Sequence, residues 1–162
     1  MSDSHVLLNS QTLGVTTTSV VFSAIPQTYR DLVLVCTYAQ GTGGNQPRVV
    51  INGDGGTNYF VVSATGYTTA TAASWSANIA EIHPMNFTGI TANEIGLWKL
   101  DFLDYSATDK QKIVLSRSNH TGEIDMNAAR WANTAAITSL TLSPQSGSFN
   151  SGSTFYLYGV IA

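Results

Sequence analysis

Charge is what this chain has least of. Only 10% of its 162 residues are Asp, Glu, Lys or Arg, against about 25% in an average soluble protein. Its seven basic residues are scattered, and ten acidic ones leave a net charge of −3. A groove that tracks phosphates needs clustered Lys and Arg, so nucleic-acid binding is disfavoured. A single cysteine, Cys36, excludes an internal disulfide. It lies in the apolar run Leu32–Cys36, where a small buried hydrophobe is expected. No apolar run approaches the roughly 18 residues of a membrane-spanning helix, so no membrane partner is expected. The opening Met1–Leu8 has neither a basic start nor a long apolar stretch. It is therefore not read as a secretory signal, and synthesis in a cytoplasm is the expectation. Helix signals are missing too: no window sets apolar residues at i, i+3, i+4 and i+7 between a cap and a stop.

What fills the gap is Thr, Ser and Asn, roughly three residues in ten, which make a surface polar without charge. Short segments rich in Val, Ile, Thr, Tyr and Phe recur, with Gly, Asn, Asp, Ser or Pro between them. Eleven strand candidates result: Val6–Leu8, Ser19–Ser23, Leu32–Tyr38, Arg48–Asn52, Tyr59–Ala64, Ala77–His83, Gly96–Leu103, Lys112–Ser118, Met126–Trp131, Ile137–Leu142 and Thr154–Ile161. The spacing predicts an all-β fold in one domain over residues 1–162, an antiparallel β-sandwich of jelly-roll-like type. Asn52-Gly53 is the dipeptide that accepts φ > 0 at both central turn positions, so a hairpin with a lengthened loop is expected over Arg48–Tyr59. A second hairpin is expected to join Leu97–Leu103 to Lys112–Ser118.

Two features point to assembly. The last strand is apolar or aromatic on both faces, with Phe155, Leu157 and Ile161 on one and Tyr156, Tyr158 and Val160 on the other. Such a strand lies between two layers or turns one face to another subunit. The uncharged stretch Ala64–Ser76 carries only Tyr67 and Trp75 as large side chains. Little burial there opposes the entropy of ordering, so it reads as a mobile tip or an interface element. Tyr67, Trp75, Tyr156 and Tyr158 are therefore the interface candidates, and exposed aromatics of this kind mark contact sites. Trp98 and Trp131, inside strands, are read as core.

No pattern of catalytic or metal-binding residues is complete. Glu81 and His83 fall on one strand face, and His120 groups loosely with Glu123 and Asp125, but neither set has a third partner at a metal spacing. Asp101 and Asp104 are three apart on a strand and face opposite sides, so they form no acid/base pair. The clusters Gly41–Gly44 and Gly53–Gly56 do not fit G-x-G-x-x-G and read as turns. No catalytic residue, metal or cofactor is expected, and the chain is not read as an enzyme.

Three stretches carry a resemblance. Thr18–Val35 contains Ile25-Pro-Gln-Thr-Tyr29 between a strand and a strongly apolar strand. Asn52–Tyr59 reads Asn-Gly-Asp-Gly-Gly-Thr-Asn-Tyr. The end, Thr138–Val160, carries Phe149, Gly152-Ser153 and Leu157-Tyr-Gly-Val160. In this order they resemble tailed-phage virion proteins, the capsid decoration or cement proteins and tail-associated β-sandwich proteins. Ser63–Ser118 carries no matching motif. The resemblance implies a jelly-roll-like sandwich, a structural role in the virion, and homo-oligomers, with a trimer among the candidates. The implied partners are the major capsid protein or other virion proteins. The alternative it leaves is a tail-associated or receptor-binding protein whose aromatic loop meets host glycan. A free carbohydrate-binding module is a third and weaker reading. The resemblance brings no catalytic residues with it.

Overall fold

Alternation decides which way each strand faces. In the computed structural model, which describes residues 4–39, 46–83 and 94–161, the strand Ile95–Leu103 turns Gly96, Trp98, Leu100 and Phe102 inward and the residues between them outward. The same period of two governs the other strands. They are β1 (His5–Thr12), β2 (Val20–Phe22), β3 (Asp31–Ala39), β4 (Pro47–Ile51), β5 (Tyr59–Tyr67), β6 (Thr71–Ile79), β7 (Ile95–Leu103), β8 (Lys112–His120), β9 (Glu123–Trp131), β10 (Leu140–Pro144) and β11 (Thr154–Val160). No helix occurs among the described residues.

The strands form two antiparallel sheets of unequal width. The large one runs β1-β11-β3-β7-β8-β9-β5-β6, and the small one β2-β10-β4. From β1 to β5 the chain changes sheet at every step, and β10 and β11 do so again. This makes the fold the all-β, jelly-roll-like sandwich that the strand spacing predicts. The core fills the space between the layers. The small sheet supplies Val20, Phe22, Val49, Ile51, Leu140 and Leu142, and the large sheet answers with Leu34, Tyr38, Trp98, Phe102 and Phe155, all buried. Tyr38 meets Trp98 and Phe149 edge-on, with ring centroids 5.5 and 5.7 Å apart. Cys36 is buried in β3, and burial pushes its thiol up. Trp131 is buried as well.

The expected hairpin over Arg48–Tyr59 does not form. Asn52 and Gly53 do take the φ > 0 turn, at 52° and 68°, and Asp54 N–H closes it on Ile51 O at 2.9 Å. The chain then leaves β4 for the other sheet, because the residues after the turn bond elsewhere. Asp54 Oδ2 accepts the Trp131 indole N–H at 2.7 Å and the Asn58 amide at 3.0 Å. The buried Tyr59 hydroxyl accepts Ile51 N–H at 3.0 Å, and burial pushes its pKa up to about 12. Asn52 Oδ1 accepts the N–H groups of Thr138 and Ser139 at 2.8 and 3.0 Å. The turn is thus a sheet-to-sheet crossover stitched to β9 and to the lead-in of β10. The hairpin expected between β7 and β8 is present, with Leu103 opposite Ile113.

Ala64–Ser76 is no tip. It forms the far half of β5 and most of β6, joined by a tight turn in which Tyr67 N–H bonds Ala70 O at 2.7 Å. Ladder hydrogen bonds supply the order that side-chain burial does not. The strand expected over Ala77–His83 accordingly begins earlier, at Thr71, and ends at Ile79. Gly41–Gly44 lies outside the described residues.

Two outcomes test this packing. Trp131 and Asn58 hold the Asp54 carboxyl below its usual range, with the Gly56 N–H in support against desolvation. A carboxyl lowered in the folded state stabilises the fold above its unfolded pKa, about 3.9, and that stability is lost as pH falls through the folded value. Between about pH 7 and about pH 3, thermal unfolding followed by circular dichroism should fall more steeply for wild type than for Asp54→Asn; parallel curves would refute the assignment. A Cβ at Gly159 would lie 2.4 Å from Cγ of Tyr29, so Gly159→Ala should cost about 1–3 kcal/mol by denaturant titration. That cost should shrink in a Tyr29→Ala background.

Candidate functional site: an apolar sheet face open to solvent

The small sheet covers the large one on one side only. On the other side, β7 presents Ile95, Leu97 and Leu103, β8 Ile113 and Leu115, β9 Ile124 and Met126, and β5 Val62, all exposed. These are eight of the twelve exposed large hydrophobic side chains among the described residues, and Ile124 and Met126 each reach 61% exposure. Single exposed aliphatics are ordinary, but a contiguous set on one sheet face marks a contact surface.

Register fixes how they lie. One row across β7-β8-β9-β5 reads Asp101, Leu115, Ala128, Val62; the next reads Lys99, Arg117, Met126, Ala64; the third reads Leu97, Asn119, Ile124, Gly66. Two shallow grooves cross these rows, of about 440 and 520 Å³. Arg117 and Met126 line both and form the ridge between them. The only acid in the three rows is Asp101. Its Oδ1 pairs closely with Lys99 Nζ, and its Oδ2 lies 3.9 Å from Arg117, whose side chain is 65% exposed. Farther along the sheet, Arg130 stands 5.8 Å over the Phe60 ring.

The inner side of the same strands is polar at this end. Ser63 and Thr65 of β5, Ser116 and Ser118 of β8, and Asp125 and Asn127 of β9 point inward and are buried. Thr65 Oγ1 donates to Asp125 Oδ1 at 2.6 Å, and Asn127 Nδ2 donates to Ser116 Oγ at 3.1 Å. Here the usual sheet pattern is reversed, with hydroxyls and amides inside and aliphatics outside.

The residues singled out from sequence are dispersed over the fold. Tyr156 and Tyr158 point to the outer face from β11, half-buried, in register with Val35 and Val33. Tyr67 ends β5 and is half-buried. Trp75 stands opposite Val62 by backbone register, and its side chain lies outside the described residues. The four are not brought to one spot. Glu81 lies beyond the end of β6, pairs with Arg48 at 3.0 Å and meets His83 Nε2 at 3.3 Å. Burial holds His83 below its ordinary pKa. His120 lies between two carboxylates, with Nδ1 2.9 Å from Glu94 and Nε2 2.8 Å from Glu123. Glu94 Oε1 also accepts Thr121 N–H at 2.8 Å, so the three side chains clip the β8–β9 turn to the start of β7. Asp125 is turned to Thr65 instead. Among the described residues no three acidic, His or Cys side chains are placed to hold a metal ion. Asp101 and Asp104 do not meet; Asp104 pairs with Lys110 at 3.1 Å.

Fold and face together define an antiparallel β-sandwich with one sheet uncovered. No family model matches the chain, and no curated protein matches it. Among solved structures it is similar to an exo-inulinase from Aspergillus awamori, at 12% identity and TM-score 0.42, over 96% of this chain and 29% of that one. It is also similar to the galectin LEC-6 of Caenorhabditis elegans, at 9% identity and TM-score 0.36, over 95% and 96% of the two chains. A PL-14 alginate lyase from Aplysia kurodai matches at 9% identity and TM-score 0.40, over 98% and 82%. The chain thus spans less than a third of the inulinase, and the likeness to all three is one of β architecture.

Because Leu115 and Met126 are 43% and 61% exposed, the pair Leu115→Lys and Met126→Lys should change unfolding free energy by less than about 1 kcal/mol. The same variant should bind less of a hydrophobic fluorescent dye. A loss of several kcal/mol would mean that this face belongs to the core.

Proposed function

We propose that this chain is a structural protein of a phage virion, a capsid-decoration or cement module that binds the outside of the head and other copies of itself and makes or breaks no bonds. The observation that carries the reading is the outer face of the large sheet. Six strands of it, β11 to β5, measure about 29 by 30 Å at ordinary strand spacing and rise. That is of the order of 800 Å², which one partner contributes to a standard protein interface. Aliphatic side chains at its centre, with Lys99, Asp101 and Arg117 set among them, suit a protein surface: an apolar patch interrupted by a few oriented charges. Sugar rings are met by aromatic planes; on this face Tyr156 and Tyr158 stand on β11, in register through Val35 and Val33 with Lys99 and Asp101, and the three central rows across β7-β8-β9-β5 contain none.

Three further points support the reading. The resemblance to tailed-phage virion proteins runs through the crossover loop and the last strand, which are fold-forming parts of the molecule. Low charge reduces repulsion between identical subunits packed at high density. The carboxylates that could have done acid/base work are engaged in holding the fold: Glu81 with Arg48, Glu94 and Glu123 with His120, and Asp54 with Trp131.

Purified protein added to expanded, undecorated heads of its phage should bind saturably at native salt. The Leu115→Lys/Met126→Lys variant, still folded, should not. Failure of wild type to bind would overturn the proposal, and adhesion to host polysaccharide in its place would move the protein to the tail. Turnover of a glycan panel would make it an enzyme.

A further inference from the structure

Charge on the outer face does not follow the charge of the chain. The chain as a whole carries −3. Yet the residues that β5, β7, β8 and β9 turn outward include Lys99, Arg117 and Arg130 and one carboxylate, Asp101. All the basic side chains and every acidic one but Asp3 are among the described residues, so this imbalance is a property of the face. The other acids serve elsewhere: Glu81 with Arg48, Asp31 with Arg30, Asp104 with Lys110, and Glu94 and Glu123 with His120.

Arg117 stands in the row Lys99, Arg117, Met126, Ala64, and Arg130 two rows on, between Ile113 and Phe60. At ordinary strand rise and spacing their Cα atoms lie about 14 Å apart. Leu115 and Ala128 occupy the row between. Both arginines are exposed. Asp101 Oδ2 stays 3.9 Å from Arg117, beyond hydrogen-bond reach, so the guanidinium keeps donors for a second carboxylate, which it can grip bidentately.

We propose, resting on the reading of this face as the one that binds the head, that its partner is an acidic, apolar protein surface. That surface sets carboxylates against Arg117 and Arg130 and aliphatic side chains against the rows between. A second copy is the wrong partner, because two such faces would bring cation against cation. The apolar rows favour protein over a hydrated polyanion.

The test titrates the full chain onto expanded, undecorated heads of its phage at several NaCl concentrations. Arg117→Gln and Arg130→Gln should each raise Kd roughly 10- to 100-fold at low salt, and their binding should weaken less with added salt than that of wild type. Asp101→Asn should bind more tightly. Lys110→Gln, in the β7–β8 turn, should bind as wild type does, and all four should unfold as wild type does. If wild type itself fails to bind, the head reading falls and this proposal with it. If wild type binds and Leu115→Lys/Met126→Lys does not, yet neither arginine variant is weakened, the face is right and this proposal alone is overturned. Displacement by polyglucuronate would make the occupant an acidic glycan. A free wild type that sediments as two chains, and as one in Leu115→Lys/Met126→Lys, would make it a second copy. Either result also overturns the proposal.

Discussion

Three strands cannot cover eight. The small sheet β2-β10-β4 buries one side of the large sheet, and the unusual features of this molecule stem from the side it leaves bare. A sheet with one wet face normally turns its hydroxyls to water and its aliphatics to the core. Along the far halves of β5, β8 and β9 this protein does the opposite: Ser63, Thr65, Ser116 and Asp125 are inside, while Val62, Leu115, Ile124 and Met126 are outside. Burying polar groups costs free energy unless each is hydrogen-bonded, and exposing aliphatics forgoes about 25 cal/mol for each square ångström left wet. Here the buried polar groups bond one another, Thr65 to Asp125 and Asn127 to Ser116, so the cost that remains is that of the wet aliphatics, which the proposed partner would remove.

The scarcity of charge belongs to the same organisation. Where charges do occur they are mostly tied within the chain. Lys112 is fully buried, and its Nζ donates to the carbonyls of Lys110 and Thr134 at 2.9 and 3.1 Å; desolvation lowers its pKa. Arg48 is held by Glu81, and His120 by two glutamates. On the outer face Lys99 leans on Asp101, and Arg117 is the loosely held cation among the apolar rows. An exposed pair of this kind adds little to stability. Across a desolvated contact the same pair sets orientation and register.

Much of the fold is legible from residues alone. Period-two alternation of β-branched and aromatic residues marks most of the eleven strands, and Asn52-Gly53 names the turn it forms. What that turn connects is not legible, because the bonds that send the chain to the other sheet join Asp54 to Trp131, 77 residues apart in sequence. β6 escapes for a different reason. Most of Thr71–Ser76 is small, and its strand comes from the backbone ladder to β5 across a tight turn, which side-chain composition does not encode. The apolar face is hidden by symmetry: Lys112–His120 reads as two interleaved sets, Ile113 and Leu115 against Val114 and Ser116, and period two does not say which set faces the core. Tyr156 and Tyr158 do share one face of β11 and point outward, as alternation requires. The aliphatic rows beside them go unnoticed in the sequence, since aromatics draw the eye to contact sites and Val, Leu and Met read as core.

The central claim is that the outer face of the large sheet is covered in the assembled state. Oxidative footprinting of Met126, 61% exposed in the lone chain, tests it most directly, with the free protein and the intact assembly compared under the same oxidant dose. The account predicts that the Met126 thioether is oxidised readily in the free chain and is protected several-fold in the assembly. Equal oxidation in both would show a face that stays open to water, and would contradict it.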